Sequence, residues 1–492
     1  MSCPEPGFLD LRTPVLVGVG TASADVEAVE LMALATEAAL SDAGGRGLAS
    51  AVDRVAVPQG SWAYPDPARL VAHRIGAAGA VTHLVELGIP QQSLINDALA
   101  AILSGGSDVA VVVGGEAKRW VRDRARAGLP PTETAQPGAA PDVLRQRSGP
   151  LLEPVEVTHR LWDPVQQYAM IDNALRAAEG RTIAEHRGEV AGLWARMNSV
   201  AATNPEAAFP EQMDAEQIAT ATTANRALAF PYNKWHATQW TVNQAAALVL
   251  CSVEAARRLG VPTDRWVFPL VGLESSHAVS VLCRQRIHAW PAMEVLAGSA
   301  ATRLGRTVAE VEVVELYSCF PSAVRVQQGS FGMPRDGTPT VTGGMAFAGG
   351  PFNNAALQSL AAVVPRLRAN PDQLGTVTTV SGLLTKPGLG VWSARPDGQP
   401  PLLADLAFEV AAVTGVVEAV ETLEGYEGRG TVATYTVTYD GMMPARVLAV
   451  CDTADGRRCV SISEDAELAA RACQEELVGT PVALSSGTFS PA

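Results

Sequence analysis

The chain repeats itself, and the repeat limits what it can fold into. Leu16-Val17-Gly18-Val19-Gly20 is similar to Leu270-Val271-Gly272-Leu273-Glu274. In the first copy a helical stretch ends in Asp42-Ala43-Gly44 and is followed by Val52 to Val57. In the second, Met293 to Gly305 leads to Val311-Glu312-Val313-Val314-Glu315-Leu316. Gln92 to Gly105 and Asp108 to Gly115 close the first unit, as Asn354 to Leu367 and Thr376 to Gly382 close the second. Each unit reads helix, strand, loop, helix, strand, with β-branched apolar strands suited to burial on both faces. Two such α/β halves build a site where paired helix N-termini meet strand ends. Chemistry is therefore expected at the helix starts.

Composition narrows the class. At 492 residues the chain is long enough for two or three domains with ample core. Its 47% apolar and 18% charged residues describe a globular protein. A net charge of −14 argues against nucleic acid as a general partner. The opening Met-Ser-Cys-Pro-Glu-Pro has neither a basic n-region nor an apolar h-region, so a cytoplasmic location is expected. No apolar run free of charges reaches membrane-spanning length, so no membrane association is expected. Seven cysteines stand singly, without a CxxC pair, and read as reduced thiols. Cys451, Cys459 and Cys473 cluster but lack ligand spacing and a nearby His, so no metal is expected.

Between the repeats the pattern breaks. Residues of about 117–225 are expected to form an inserted loop domain within a first half spanning 1–263. In it, 125–150 is rich in Pro, Gly and Ala and reads as extended loop, and Trp162 to Asn198 reads as helix interrupted near Gly180. Ala245 to Cys251 is apolar enough for a buried strand. A second half spans 264–400. From 405 to 492 the strand candidates are Gly415–Val420, Thr431–Tyr439, Arg446–Cys451, Arg457–Ile462 and Pro481–Leu484. Asp440-Gly441 and Asp455-Gly456 supply turns between them, and Glu464–Gln474 reads as a helix. That spacing fits a five-stranded barrel of the oligonucleotide/oligosaccharide-binding type.

Four stretches carry a family resemblance. Thr340 to Pro351 (Thr-Val-Thr-Gly-Gly-Met-Ala-Phe-Ala-Gly-Gly-Pro) is similar to the thiolase Gly-Gly…Gly-His-Pro loop. Glu315-Leu316-Tyr317-Ser318-Cys319-Phe320 is similar to the His-Asp-Cys-Phe motif of the sterol-carrier-protein-thiolase-like branch. Ser381-Gly382 to Gly390 takes the place of the Cys-x-Gly loop, and Asp108 to Glu116 matches the strand after the nucleophile helix. Over about residues 1–400 the chain thus resembles the thiolase superfamily, in the thiolase-like protein type 1 branch with an additional C-terminal domain. The resemblance implies a duplicated, layered αβαβα fold of mixed five-stranded sheets with a buried helix pair between them. It implies coenzyme A thioesters as substrate or ligand, with no tightly bound cofactor. It also implies a homodimer paired through a first-half edge strand. A monomer stays open if the extra domain blocks that edge.

The chemical groups of the family are missing at the matching positions. A thiolase holds a thiolate at the N-terminus of the first-half helix, where the dipole and backbone N–H groups lower its pKa. Counting back from Gly114-Gly115 places that position at Ile89, within Gly88-Ile89-Pro90-Gln91-Gln92-Ser93. Gly350 stands where the deprotonating His should open the second-half helix. The second Cys is replaced at or near Ser381, and the motif His by Tyr317. Transfer of an acyl group through the usual cysteine is not expected.

What remains suits binding a thioester, since helix N-termini and glycine loops hold a carbonyl oxygen without special side chains. Tyr317 is the surviving acid/base candidate. As a base it needs neighbours that lower its pKa from ~10. Cys319 is either a displaced nucleophile or a small buried thiol. Ser93 caps the helix or attacks substrate. His236 precedes Thr241 to Ala247, which is similar to the loop beside the pantetheine arm. Gly349, Gly350, Asn353, Asn354, Ser381 and Gly382 are expected to cap helices or to contact substrate. Ser276-His277 is discounted as a dyad because neighbours on a strand point to opposite faces. The leading expectation is an acyl-CoA-binding protein of the acetyl-CoA acetyltransferase/acyltransferase group of lipid metabolism, without the usual Cys and His. The alternatives are a retro-aldolase-type lyase on β-hydroxyacyl-CoA with Tyr317 as base, and a non-catalytic CoA- or partner-binding protein.

Overall fold

Strands with no polar side chain over five or more residues cannot face water on either side, and two such runs sit at the centre of the first sheet. Val109 to Val113 and Ala245 to Cys251 are fully buried. A computed structural model describes residues 9–152, 154–417 and 420–492. The opening hexapeptide with Cys3, and Glu418 and Ala419 of the expected strand Gly415–Val420, lie outside the described residues.

The first half comprises β1 (Pro14–Ala22), α1 (Ala28–Ala43), β2 (Arg54–Pro58), α2 (Pro67–Arg74), β3 (Val81–Val85), α3 (Gln91–Leu103) and β4 (Val109–Ala117). Next come α4 (Lys118–Arg126), β5 (Val143–Arg145), α5 (Pro154–Thr158), α6 (Pro164–Ala178), α7 (Ile183–Ala201), α8 (Ala215–Ala219), β6 (Ala227–Ala229) and β7 (Tyr232–Asn233). The core resumes at β8 (Asn243–Ser252) and α9 (Val253–Arg258). The second half holds β9 (Phe268–Glu274), α10 (Pro291–Leu304), β10 (Val313–Glu315), α11 (Pro321–Phe331), α12 (Ala355–Ala369), β11 (Leu374–Ser381), β12 (Lys386–Ser393) and β13 (Leu402–Asp405). After α13 (Ala407–Val417) follow β14 (Thr422–Leu423), β15 (Gly428–Asp440), β16 (Met443–Thr453), β17 (Arg458–Ser463), α14 (Ala466–Ala472), β18 (Pro481–Ser485) and β19 (Thr488–Pro491).

The duplication is visible in the pairing. Strands run β1-β8-β4-β2 in the first sheet and β9-β12-β11-β10 in the second. In both, the first two pairings are antiparallel and the third parallel. Even the caps repeat, with α1 and α10 ending at left-handed Gly44 (φ 69°) and Gly305 (φ 68°). Between the sheets, α3 buries Leu94, Ile95, Ala98, Leu99 and Ile102 against Leu357, Leu360, Val363, Val364 and Leu367 of α12. This is the expected buried helix pair.

The edges of the sheets depart from the expected five-plus-five pattern. The first sheet has six strands, because β5 adds to β3 in parallel, His83 opposite Val143 and Val85 opposite Arg145. The edge through which a thiolase dimer was expected to form is therefore occupied by the chain's own insertion. The second sheet gains its fifth strand, β13, from beyond residue 400, on the far side of β9. Among the described residues it has no counterpart of β3. In that place Leu316 N–H bonds the Pro339 carbonyl at 3.0 Å, and the Glu315 carboxylate takes over as acceptor. It receives Val341 N–H at 2.5 Å, Thr342 N–H at 3.0 Å, and the hydroxyls of Thr340 and Thr342. Proline 339 has no N–H to give a ladder, so a side chain does the work of a strand.

The C-terminal segment forms a closed five-stranded barrel, each strand pairing in the ring β15-β16-β17-β19-β18-β15, with α14 between the third and fourth strands. Gly441 (φ 60°) and Gly456 (φ 82°) turn its first two hairpins as the Asp-Gly signals implied. The barrel packs on the insertion: Thr438 pairs with Ala229, and the Asn173 amide donates to the Tyr435 carbonyl at 2.7 Å. The expected strand at Gly415 is wrong in its described part. Residues 407–417 are helical because the apolar residues there repeat at helical spacing. Val410 and Thr414 are buried while Phe408 and Val413 are exposed, and Asp405 accepts the Ala407 N–H at 2.9 Å. Among the described residues no helix is long and apolar enough to cross a membrane.

Candidate functional site

The site is built where α3 and α12 begin. Gln91, the first residue of α3 and 4% exposed, spans the two helices. Its side-chain oxygen accepts the Ala356 N–H at 2.7 Å, and its amide nitrogen reaches Asn353 Oδ1 at 3.3 Å. Asn353 in turn donates to the Gln59 carbonyl at the end of β2, 3.1 Å away. One helix start thus supplies the cap of the other. Ile89, expected at the position of the thiolase nucleophile, is buried immediately ahead of Pro90, the N-cap of α3.

Two buried side chains at these helix starts have no partner. Ser93 lies inside the first turn of α3, fully buried, with its Oγ unpaired. The expected cap is therefore not made, because Ser93 is the third residue of the helix rather than its N-cap. Asn354, 2% exposed at the N-cap of α12 and packed on Gly114, leaves both its Oδ1 and Nδ2 unpaired.

The glycine loop closes one wall. Gly349 has φ 101°, and a Cβ there would collide with Gln244, whose amide holds the Ala348 carbonyl at 2.9 Å. Gly350 donates to the Gln239 carbonyl at 3.0 Å, and a Cβ on it would run into Thr238. Thr238 is itself held by the Cys319 carbonyl through its N–H (2.9 Å) and hydroxyl (3.0 Å). The space a histidine would need at 350 is filled by the Thr238 side chain.

Tyr317 is clamped through its backbone: its N–H donates to Thr378 Oγ1 at 2.8 Å and its carbonyl accepts from Gln327 at 2.9 Å. Burial, and then the nearby Cys319 sulfur, push its phenol above its ordinary pKa. A base needs the opposite shift, so burial here does not favour the expected base role. Burial pushes the Cys319 thiol up to about 12, which disfavours the thiolate that a displaced nucleophile needs. His236 is taken up by its own turn. Its Nδ1 accepts the Asn233 N–H at 3.0 Å, its ring stacks on Tyr232, and burial lowers it to about 4. It closes a short 3-10 turn and stays neutral.

On the opposite wall, Ser381 and Gly382 open the β11–β12 hairpin, where Gly382, Leu383 and Leu384 all have positive φ (63°, 57° and 62°). Two leucines in the left-handed region carry strain of about 1–3 kcal/mol each. Main-chain contacts to Thr385 and Arg284 hold the turn. Ser276 and His277 are not on a strand but in the loop after β9. Ser276 N–H donates to Asp405, and His277 Nε2 sits 3.1 Å from Thr414 Oγ1.

The fold has a close relative. The crystal structure of a monomeric SCP2-thiolase-like protein type 1 from Mycobacterium smegmatis aligns with a TM-score of 0.84 and 30% identity. The alignment covers 98% of this chain and all of that one. This chain belongs to the SCP2-thiolase-like protein type 1 family. Residues 409–487 match the additional C-terminal domain of thiolase-like protein type 1, which takes in most of α13 and four of the five barrel strands. More distant in sequence are the Ltp2-ChsH2(DUF35) aldolase (17% identity, TM-score 0.57, 78% of this chain and 98% of that one) and acetyl-CoA acetyltransferase from Syntrophomonas wolfei (16%, 0.55, 78% and 100%). These two show the fold. No curated protein matches the chain.

In this type 1 chain four site residues escape a motif-based reading. Gln91 and Asn96 are ordinary helix residues in sequence, yet Asn96 links Gln92 (2.9 Å) to the Gly272 carbonyl (3.0 Å). Glu274, at the end of β9, is buried and pushed up to about 8, with Oε2 unpaired. Lys386 is buried and donates to the Gly88 carbonyl at 3.0 Å. Its signal was compositional. Of 37 basic side chains only Lys118, Lys234 and Lys386 are lysines.

Proposed function

We propose that this type 1 thiolase-like chain binds a coenzyme A thioester without forming an acyl-cysteine. The observation that carries the proposal is the Asn354 amide, buried at the start of α12 with neither polar atom paired. Buried polar groups are almost always satisfied, and leaving one unpaired costs about 1–3 kcal/mol, so an orphan amide at a helix N-terminus favours a polar ligand. A thioester carbonyl offers the acceptor such a site lacks, and the Ser93 hydroxyl lies at the neighbouring helix start. The distant likeness to acetyl-CoA acetyltransferase agrees with that ligand class. The absence of sulfur at Ile89, the filled space at Gly350 and the disfavoured Cys319 thiolate argue against thiolysis.

Isothermal titration with acetyl-CoA tests this. Binding should be saturable and should weaken at least tenfold in Asn354→Leu, about the value of one lost hydrogen bond to a buried group. Equal affinity in that variant would remove the basis of the proposal.

The same chain is proposed to be a monomer. β5 covers the β3 edge, and the relative from Mycobacterium smegmatis is described as monomeric.

A further inference from the structure

The three lysines are not scattered. Lys118 lies 3.3 Å above the Trp240 ring and 5.3 Å from Phe352, which leads into Asn353. Lys234 lies 4.3 Å from the Trp235 ring, which stacks on Phe347 of the glycine loop. Lys386 reaches the segment ahead of α3. Arginine and lysine carry the same charge, but only lysine can lose its proton near neutral pH and act as an amine. In a chain that uses arginine almost everywhere else, each of the three lysines meets a segment next to the candidate site.

Lys386 is the one placed for chemistry. It stands opposite Ser381 across the β11–β12 hairpin, and its face of β12 looks at α3, since a Cβ on Gly388 would meet Gln92 Cβ at 2.5 Å. Its Nζ touches one backbone carbonyl, that of Gly88, the residue before Ile89. Among the described residues it has no ion pair with a carboxylate. An ammonium has three protons to place, and here one acceptor takes one of them. Burial, helped by the positive charge of Arg147, lowers its pKa and so raises the neutral fraction.

We propose that Lys386 is an amine nucleophile that forms an imine with the ketone of a 3-oxoacyl thioester. The proposal rests on the thioester-binding reading above. The lone pair of the neutral amine attacks the ketone carbon and a C–N bond forms. The carbonyl oxygen then leaves as water, carrying both amine protons. No oxidant or reductant takes part. Once it takes up a proton from solvent, the imine would draw electrons from the adjacent carbon–carbon bond.

The experiment traps the imine. Full-length protein is incubated with acetoacetyl-CoA and sodium cyanoborohydride, digested and mapped by mass. The expected result is a reduced adduct on Lys386, at least tenfold above Lys118 and Lys234 and absent with acetyl-CoA, which has no ketone. Lys386→Arg, which keeps the charge and the tether to Gly88, should lose the adduct and retain its unfolding temperature. Parallel labelling with 2,4-pentanedione needs no coenzyme A site. If acetoacetyl-CoA does not bind but pentanedione selects Lys386, the thioester reading fails and the amine stands. If acetoacetyl-CoA binds and no adduct forms on Lys386, or the three lysines label equally, the amine proposal is overturned.

Discussion

Gln91 Oε1 accepts the Ala356 N–H at 2.7 Å, so the first residue of one central helix caps the first turn of the other. In a duplicated fold this contact crosses the boundary between the halves, and both partners are buried. Gln91→Ala strands the Ala356 N–H and should destabilise the protein by about 1–3 kcal/mol in urea unfolding. A change below about 0.5 kcal/mol would mean that the bond does not join the halves energetically.

Gly350→His supplies the histidine that the thiolase resemblance expects, but not the space for it. The new side chain meets Thr238, with Met345 Cε 3.2 Å from its Cβ position. Overpacking of this kind costs about 1–3 kcal/mol. Thr238→Ala in the same chain should recover part of that loss, so the two changes should couple in a double-mutant cycle of thermal unfolding.

Glu274 gives stability a pH dependence of definite sign. Burial lifts its pKa from 4.5 to about 8, so the folded chain holds this proton more tightly than the unfolded one. Between about pH 4.5 and 8 the unfolded state binds fewer protons at this site, and stability falls as pH rises, by up to ~1.4 kcal/mol per pH unit. Glu274→Gln should flatten this fall and be the more stable protein at pH 8. A wild type and variant with parallel stability–pH curves would contradict the assignment.

Leu144→Pro should loosen β5, whose Leu144 pairs with Leu84 at the sheet edge. Light scattering after size exclusion should give a monomer for the wild type and a larger average mass for the variant, as the β3 edge becomes free to pair. A wild-type dimer would refute the monomer proposal.

Much of the fold was legible because the repeat, the apolar strands and the Asp-Gly turns are local signals. The paired helices at Gln92–Gly105 and Asn354–Leu367 and the barrel strands from Thr431 onward appear where patterning put them. The failures are informative. β13 and α13 follow a Pro-rich stretch that looks like a linker, and their identity depends on pairing with β9 and on which side of Val410 is buried. Nothing local in Val143-Leu144-Arg145 says that it will pair with β3, more than 50 residues away in sequence. At the site, Ile89, Gly350, Ser381 and Tyr317 could be picked out only by their resemblance to thiolase motif positions. The direction of the Tyr317 shift could not be read, because it is set by burial among residues remote in sequence. Gln91, Glu274 and Lys386 belong to no motif, and their roles come from contacts between the halves.

The central claim is non-covalent retention of a thioester, and it is tested by measuring binding and intact mass on one sample. Acetyl-CoA should bind saturably, and the protein recovered from the titration should have its original mass, with no acetyl group on Cys319 or any other thiol. A stable acetyl adduct on any residue, or no binding at all, would contradict the account.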